Sequence, residues 1–246
     1  EERALRNNTS TKYFECLKVF LSWARKLGHN SSSDFEDFKI RREKKDVLFL
    51  RRNELDAIIN VDLSKKPSLD RVRDLFVFQS FTGQRFSDTI NLKYTDLEAD
   101  EDGTLYWKLY QIKGNKPQSV TVPILPRAES ILEKYDYTQE RPFVFKRISN
   151  VKMNLYLKVV GELAGLTQTK TLVSYSGKKR LETVEPLYKL LTSHMARRNF
   201  VSLSIENGLS PEVITKITGH TDIRTMRKYL EIHQDTLKSQ LFKAWS

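Results

Sequence analysis

The chain has 246 residues, with 42 Lys+Arg against 31 Asp+Glu, a formal net charge of +11 and a pI near 9.6. That length is enough to bury the core of one or two domains, and the positive excess favours a polyanionic partner, nucleic acid first. A single cysteine, Cys16, excludes an intrachain disulfide, and with no hydrophobic leader or membrane-length apolar run the expectation is a soluble cytoplasmic protein with no membrane partner. Glu1 stands where an initiator methionine would, which predicts a piece of a longer chain.

In chain order, Tyr13, Phe14, Leu17, Phe20, Leu21 and Ala24 recur at three- and four-residue steps between Thr9 and Leu27, predicting an amphipathic helix ended by Gly28. The polar run over 30–47 reads as a linker, or as a solvated loop inside one domain. One helix does not make a domain. Residues 1–45 are therefore expected to be part of a small helical module, with a second domain over 46–246. In that domain Ser68 is placed to cap a helix carrying Val72, Leu75, Phe76, Val77, Phe78 and Phe81, which stops at Thr82-Gly83. A further helix turns Ile90 and Leu92 inward. Leu105, Trp107 and Leu109, then Val120, Val122 and Ile124, alternate with polar residues on either side of Lys113-Gly114-Asn115-Lys116-Pro117, the pattern of a β-hairpin. Helices near 127–135 and 149–165 precede a second hairpin over 170–186 that turns at Ser176-Gly177. Then come helices over 193–207, ended by Gly208; over 211–218, capped by Ser210, opened by Pro211 and closed by Gly219; and over 222–230. Leu237, Leu241, Phe242 and Trp245 form an apolar stripe in the tail. The sum is a mainly α fold with small β-hairpins, of the α+β class.

Several polar residues suit phosphate chemistry. Breaking a phosphodiester without metal needs cationic forks on the non-bridging oxygens, an in-line nucleophile and an acid for the leaving oxygen. Arginine suits the first task, because its guanidinium stays charged and binds two oxygens at once. Arg85 directly follows the helix end at Gly83-Gln84, with Asp88 one turn on to brace it; alone, the two also read as a surface ion pair. His194 and Arg197, at i and i+3, share a helix face. Ser193 as N-cap would put His194 in the first turn, where the helix dipole disfavours its protonation and favours an anion. Lys113, at a hairpin tip, is placed to reach a scissile phosphate or to stay solvated. Gly219-His220 turns a corner, and Tyr229 follows nine residues later in a short basic helix; alone, His220 also reads as a cap and Tyr229 as core. His29, His194, His220 and His233 lack metal-ligand spacing, and the nine glycines form no nucleotide-binding pattern, so no metal and no cofactor are expected.

These segments resemble, in order, the boxes of the tyrosine recombinase (phage integrase) family. Phe81-Thr82-Gly83-Gln84-Arg85-Phe86-Ser87-Asp88 resembles its first arginine box, and Ile112-Lys113-Gly114-Asn115-Lys116 through Val122-Pro123 its lysine hairpin. Ser193-His194-Met195-Ala196-Arg197-Arg198 resembles its His-x-x-Arg box, and Thr218-Gly219-His220 with Tyr229 its His…Tyr box. The 170–186 hairpin and Ala196-Arg197-Arg198-Asn199-Phe200 are similar to the conjugative-transposon, mobile-element branch. The resemblance implies a recombinase catalytic domain over 46–246 and part of a SAM-like, core-binding helical domain over 1–45. It implies Tyr229 as the nucleophile that forms a 3′-phosphotyrosyl link, Arg85 and Arg197 as the phosphate clamp, and His220 as a further donor. It also implies Lys113 as the acid for the leaving 5′-oxygen, His194 assisting the tyrosine proton, and Asp88 in support where glutamate is commoner. Lys113, Lys116 and Arg198 are expected on DNA. The implied partner is a double-stranded DNA attachment site in a bacterial nucleoid. Joining two duplexes implies a tetramer, with Leu237, Leu241, Phe242 and Trp245 docking into a neighbour or folding back. The alternatives are a type IB topoisomerase-like nicking enzyme, disfavoured by the His-x-x-Arg box and short His-to-Tyr spacing, and a non-catalytic DNA-binding protein of the same fold, disfavoured by retention of all six groups.

Overall fold

The computed structural model describes residues 5–40, 42–43, 46–113, 116–135, 142–220, 222–232 and 242, with the side chains of 111–113, 116–117, 224 and 231–232 outside that description. The chain divides into two compact units, residues 1–46 with 169–185 and residues 47–168 with 186–246. Among the described residues no helix is long and apolar enough to cross a membrane.

In the first unit, α1 (Asn7–Lys26) buries only Thr11 and Ala24. Most of its predicted apolar stripe faces solvent: Tyr13, Phe14, Leu17 and Phe20 are exposed, as is the neighbouring Trp23, and of the predicted residues only Ala24 is buried. Polar contacts hold the helix instead. The Asn7 amide donates to the Gly177 carbonyl at 2.9 Å and accepts from the Gly177 N–H at 2.6 Å. Gly177 joins β4 (Thr169–Ser176) to β5 (Lys179–Pro186), the hairpin expected from the sequence. Ser176 Oγ adds a bond to the Leu5 carbonyl at 3.0 Å. Farther along, Lys18 Nζ donates to the carbonyls of Glu36 and Phe38 at 2.8 and 3.1 Å, and Phe14 packs against Phe38 at a ring separation of 5.3 Å.

The second unit is built round α3 (Pro67–Thr82), which follows α2 (Arg52–Asn60). Pro67 opens α3, so Ser68 lies within the first turn rather than capping it, and Lys66 in the cap position makes no side-chain bond. Val72, Leu75, Phe76, Val77 and Phe78 are all buried, so α3 is apolar on more than one face, as a central helix must be. Phe78 meets Trp107 at 6.0 Å and Phe145 at 5.2 Å between ring centroids. After α4 (Phe86–Ile90) come β1 (Leu97–Ala99), β2 (Leu105–Lys113) and β3 (Lys116–Pro123), an antiparallel sheet in that order. Its register opposes Trp107 to Val122 and Leu109 to Val120, and the two-residue side-chain period therefore buries all four on one face.

Around this core lie α5 (Pro126–Leu132), α6 (Asn150–Leu163), α7 (Leu187–Leu190), α8 (Ser193–Glu206), α9 (Pro211–Thr218) and α10 (Arg227–Ile232). The helix expected over 222–230 is divided: a 3₁₀ turn, Ile223–Met226, leads into α10. Phe242 is exposed, while the other tail residues of interest, Leu237, Leu241 and Trp245, lie outside the described residues. The result is a mainly α fold with small antiparallel sheets.

One polar residue joins distant parts of the second unit. Asn199, fully buried in α8, accepts the Leu50 N–H at 2.7 Å and donates to Ser80 Oγ at 3.4 Å. Asn199→Ala leaves a buried N–H without its partner, so it is expected to destabilise the fold by about 1–3 kcal/mol. The check is a lower urea midpoint with an unchanged denaturant slope.

Candidate active site

The site begins where α3 stops. Gly83 takes φ 70° at the end of that helix, and a Cβ placed there would lie 2.5 Å from the Phe200 ring. Only glycine permits both the left-handed turn and the close approach to α8. The turn sends Gln84 inward, where its Nε2 donates to the Thr82 carbonyl at 3.0 Å and to the Ile217 carbonyl of α9 at 2.8 Å. Arg85 then stands immediately before α4, with Nη1 3.7 Å from Asp88 Oδ2, the i, i+3 pair expected.

Ser193 does not cap α8; Thr192 flanks the helix and Ser193 is its first residue. The N–H and hydroxyl of Ser193 go to α6, the former to Asn154 Oδ1 at 2.7 Å and the latter to Asn150 Oδ1 at 2.8 Å. His194 thus remains in the first turn. Arg197, three residues on, is only 3% exposed, and its Nη1 donates to the Gly83 carbonyl at 2.8 Å. The turn that presents the first arginine therefore anchors the second. Burial, then the like charge of Arg85, brings the Arg197 pKa down to about 10, against the opposing pull of Asp88 and Tyr229. It remains a cation at neutral pH.

His220 follows Gly219, which ends α9 at φ 66°. Arg197 Nη2 lies 3.2 Å from Nδ1 and 3.1 Å from Nε2 of its ring. A donor in the ring plane reaches one lone pair at a time, so a nitrogen this close to both lies over the ring. Tyr229, 6% exposed, packs with Phe200, Val201, Ile205, Ile214 and Met226. Lys228 Nζ sits 5.4 Å from the centre of its ring. Burial raises the phenol pKa, partly offset by Arg198 and then Arg197, so Tyr229 is neutral before any reaction. His194 has a solvent-exposed edge, yet the packing round it lowers its affinity for a proton, helped in turn by Arg198, Arg197, Lys228 and Arg85.

Of the residues singled out in the sequence, Arg85, Asp88, His194, Arg197, His220 and Tyr229 thus come together in one electrostatic cluster. Arg198 joins them: it reaches the Leu48 carbonyl at 3.5 Å, and its charge is felt by Tyr229 and His194. The Lys113 backbone pairs with Lys116 at the last step of the β2–β3 register, but both side chains lie outside the described residues. Among the described residues no three His, Cys, Asp or Glu side chains converge; the donor set here, cations around a phenol, suits an anion.

Sequence reading passed over one neighbouring feature. A cleft of about 450 Å³ opens between α3 and α6, with Arg71, Lys146, Arg147 and Lys152 on its walls. Arg147 lies 4.6 Å from the centre of the Phe143 ring and donates to Asn91 Oδ1, just past α4, at 2.6 Å. Asn150, at the start of α6, bonds Ser193 beside His194. The cleft therefore adjoins the elements that carry Arg85 and His194. Its cations are scattered along the chain and form no motif, apart from the adjacent pair Lys146-Arg147.

Residues 48–235 match the phage integrase family. A tyrosine recombinase XerD of Lacticaseibacillus casei is 26% identical over 190 residues, covering 76% of this chain and 59% of the relative. Transposase B from transposon Tn554 of Staphylococcus aureus is also 26% identical, over 191 residues, covering 75% of this chain and 28% of that protein. Three XerD relatives are each spanned to about three fifths of their length. Among solved structures, the Tn1549 transposon integrase in complex with transposon right end DNA superposes with a TM-score of 0.65 at 15% identity, covering 100% of this chain and 82% of the other. The XerH site-specific recombinase bound to palindromic difH substrate, a post-cleavage complex, gives 0.64 at 18% identity, covering 96% and 67%. The fold is thus shared with DNA-bound recombinases, and the match over 48–235 spans every box from Arg85 to Tyr229: this chain belongs to the phage integrase family.

Proposed function

We propose that the chain is a site-specific DNA recombinase, an integrase that cleaves and rejoins strands of a double-stranded attachment site through a 3′-phosphotyrosyl link to Tyr229. The observation that carries this reading is the buried, charged Arg197, held by the Gly83 carbonyl and in contact with His220, close enough to Tyr229 for each to shift the other's proton affinity. A buried cation backed this way is organised for an anion before the anion arrives.

Arg85 and Arg197 take the non-bridging oxygens of the scissile phosphate, and His220 adds a donor. The Tyr229 oxygen attacks phosphorus while the bond to the 5′-oxygen breaks. His194, whose lowered proton affinity keeps it neutral near pH 7, receives the phenol proton. Lys113 protonates the departing 5′-oxygen, and Lys113, Lys116 and Arg198 also face DNA. Attack by a 5′-hydroxyl on the tyrosyl phosphate reverses each step. Every transfer is assigned to a protein side chain, with no role for a metal or nucleotide. Exchange between two duplexes uses four such sites, so the working form is a tetramer on DNA in a bacterial nucleoid, with the Leu237, Leu241, Phe242 and Trp245 stripe as its contact. Residues 1–45 belong on this reading to a core-binding domain, and 46–246 to the catalytic one.

A duplex carrying the attachment sequence, nicked beside the cleavage point so that the short product escapes, is expected to leave a covalent protein–DNA band on a denaturing gel. Absence of the band from folded, DNA-bound protein would remove the strand-transfer reading and leave a binding protein. The basic cleft also enters this reading, as a seat for backbone phosphates. Lys146→Gln with Lys152→Gln is expected to reduce the slope of log affinity against log salt by about 2, one for each phosphate that the two ammonium groups neutralise.

A further inference from the structure

Thr218, the last residue of α9, is fully buried, and its hydroxyl oxygen lies 2.6 Å from the Ile214 carbonyl oxygen and 2.6 Å from His220 Nδ1. A threonine hydroxyl has one proton to give. The carbonyl has none, so a contact that short between the two oxygens is attractive only if the threonine proton lies between them. The hydroxyl is thereby committed as a donor to Ile214, and what it turns toward the imidazole is a lone pair. Two lone pairs facing each other at such a distance would repel, so Nδ1 must carry the hydrogen and donate it to Thr218. From this chain of bonds, Ile214 carbonyl to Thr218 hydroxyl to imidazole, we infer that Thr218 is a positioning residue that holds His220 with a hydrogen on Nδ1 and leaves Nε2 as the nitrogen whose protonation can change.

The local fold explains why threonine can do this. A helix-terminal Thr readily bonds the carbonyl four residues back, and the left-handed Gly219 then folds the next side chain against that hydroxyl. The His220 N–H, bonded to the Thr215 carbonyl at 3.1 Å, fixes the backbone of the corner. Arg197 contributes only donors, so it cannot supply the acceptor that Nδ1–H needs. The consequence for the active site rests on the recombinase reading. Through Nε2 the ring donates to a phosphate oxygen only as the doubly protonated cation, beside the Arg197 guanidinium, and Thr218 holds the same nitrogen in place in both protonation states. Loss of that hydrogen bond is expected to slow cleavage about tenfold.

The decisive test needs no DNA, so its failure is separate from failure of the recombinase reading. The protein has four histidines, which makes ring-nitrogen spectra of a ¹⁵N-histidine sample tractable, and His220→Gln identifies the signal of interest. About two pH units above the usual imidazole pKa of ~6.5, His220 is expected to show a protonated Nδ1 and an unprotonated Nε2. Free histidine in water prefers the opposite arrangement. Thr218→Val keeps the shape and removes the hydroxyl, and is expected to shift the ring toward the Nε2–H form, with the other histidine signals unmoved. Thr218→Ser is expected to restore the wild-type pattern and to cleave within about twofold of wild type, well inside the tenfold loss expected when the bond is absent. A wild-type ring in the Nε2–H form overturns the inference, and so does a Thr218→Val spectrum identical to wild type. Should the valine variant fail to fold, the wild-type spectrum alone decides.

Discussion

Tyr229→Phe is expected to abolish the covalent adduct and slow strand cleavage by at least about 10⁴-fold, while DNA binding and the thermal transition stay near wild type. The ring is 6% exposed and packs among Phe200, Ile214 and Met226, and phenylalanine preserves those contacts and the Lys228 ammonium over the ring face. What disappears is the one oxygen. That oxygen is not ionised in advance, because burial raises the phenol pKa by more than Arg198 and Arg197 lower it. Reactivity therefore depends on a base accepting the proton as the phosphate is attacked. On the proposed reading that base is His194, whose surroundings lower its affinity for a proton. Denaturing gels with nicked duplex measure the outcome directly. An adduct that persists in Tyr229→Phe would place the nucleophile on another residue.

Much of this arrangement is legible because each part of it is local in sequence. Gly83 and Gly219 end helices in the left-handed conformation, which their type announces, and the candidate residues Arg85 and His220 follow within two residues. Likewise, the i, i+3 spacing of Arg85 with Asp88 sets their pairing without help from the rest of the fold. What periodicity cannot supply is the partner of a face. The three- and four-residue rhythm over α1 correctly marks a helix, yet Tyr13, Leu17 and Phe20 stay in solvent, since the rhythm says nothing about what covers the stripe. Ser210 caps α9 as expected, but two other caps failed for a related reason. Ser68 and Ser193 have the right side chains, but Pro67 opens α3 two residues early, and α6 claims the N–H and hydroxyl of Ser193. Arg198 beside Tyr229 and the cations of the cleft are products of tertiary packing, and no spacing in the chain encodes them.

Arg197→Met is expected to slow cleavage about 10³-fold or more, the scale of losing an arginine that stabilises charge on a transferring phosphoryl group, without destabilising the DNA-free protein in proportion. Two opposing terms decide the second half. Arg197 is 3% exposed, and burial brings its pKa well down from the usual guanidinium range to about 10, so the fold disfavours the charged form. For a base with a lowered pKa that penalty is present at every pH below about 10 and fades as the pH rises through it. The shift corresponds to about 3 kcal/mol. Against it, removing the donor leaves the Gly83 carbonyl without that bond, a cost of about 1–3 kcal/mol. Methionine fills similar volume with no charge to desolvate, so the two terms nearly cancel, and the variant should melt within a few degrees of wild type or above it. Arg197→Lys sharpens the point. It keeps the charge, but an ammonium is a single point and cannot hold the Gly83 carbonyl and fork onto two phosphate oxygens at once. Cleavage should therefore fall by about 10²-fold, while affinity for DNA, carried by many other cations, changes little. A methionine variant that loses more than about 3 kcal/mol of stability would instead make Arg197 a structural tie between α3 and α8, with catalysis lost only as a by-product. A stable, DNA-binding and inactive variant is what a cation held at the fold's expense for a phosphate requires.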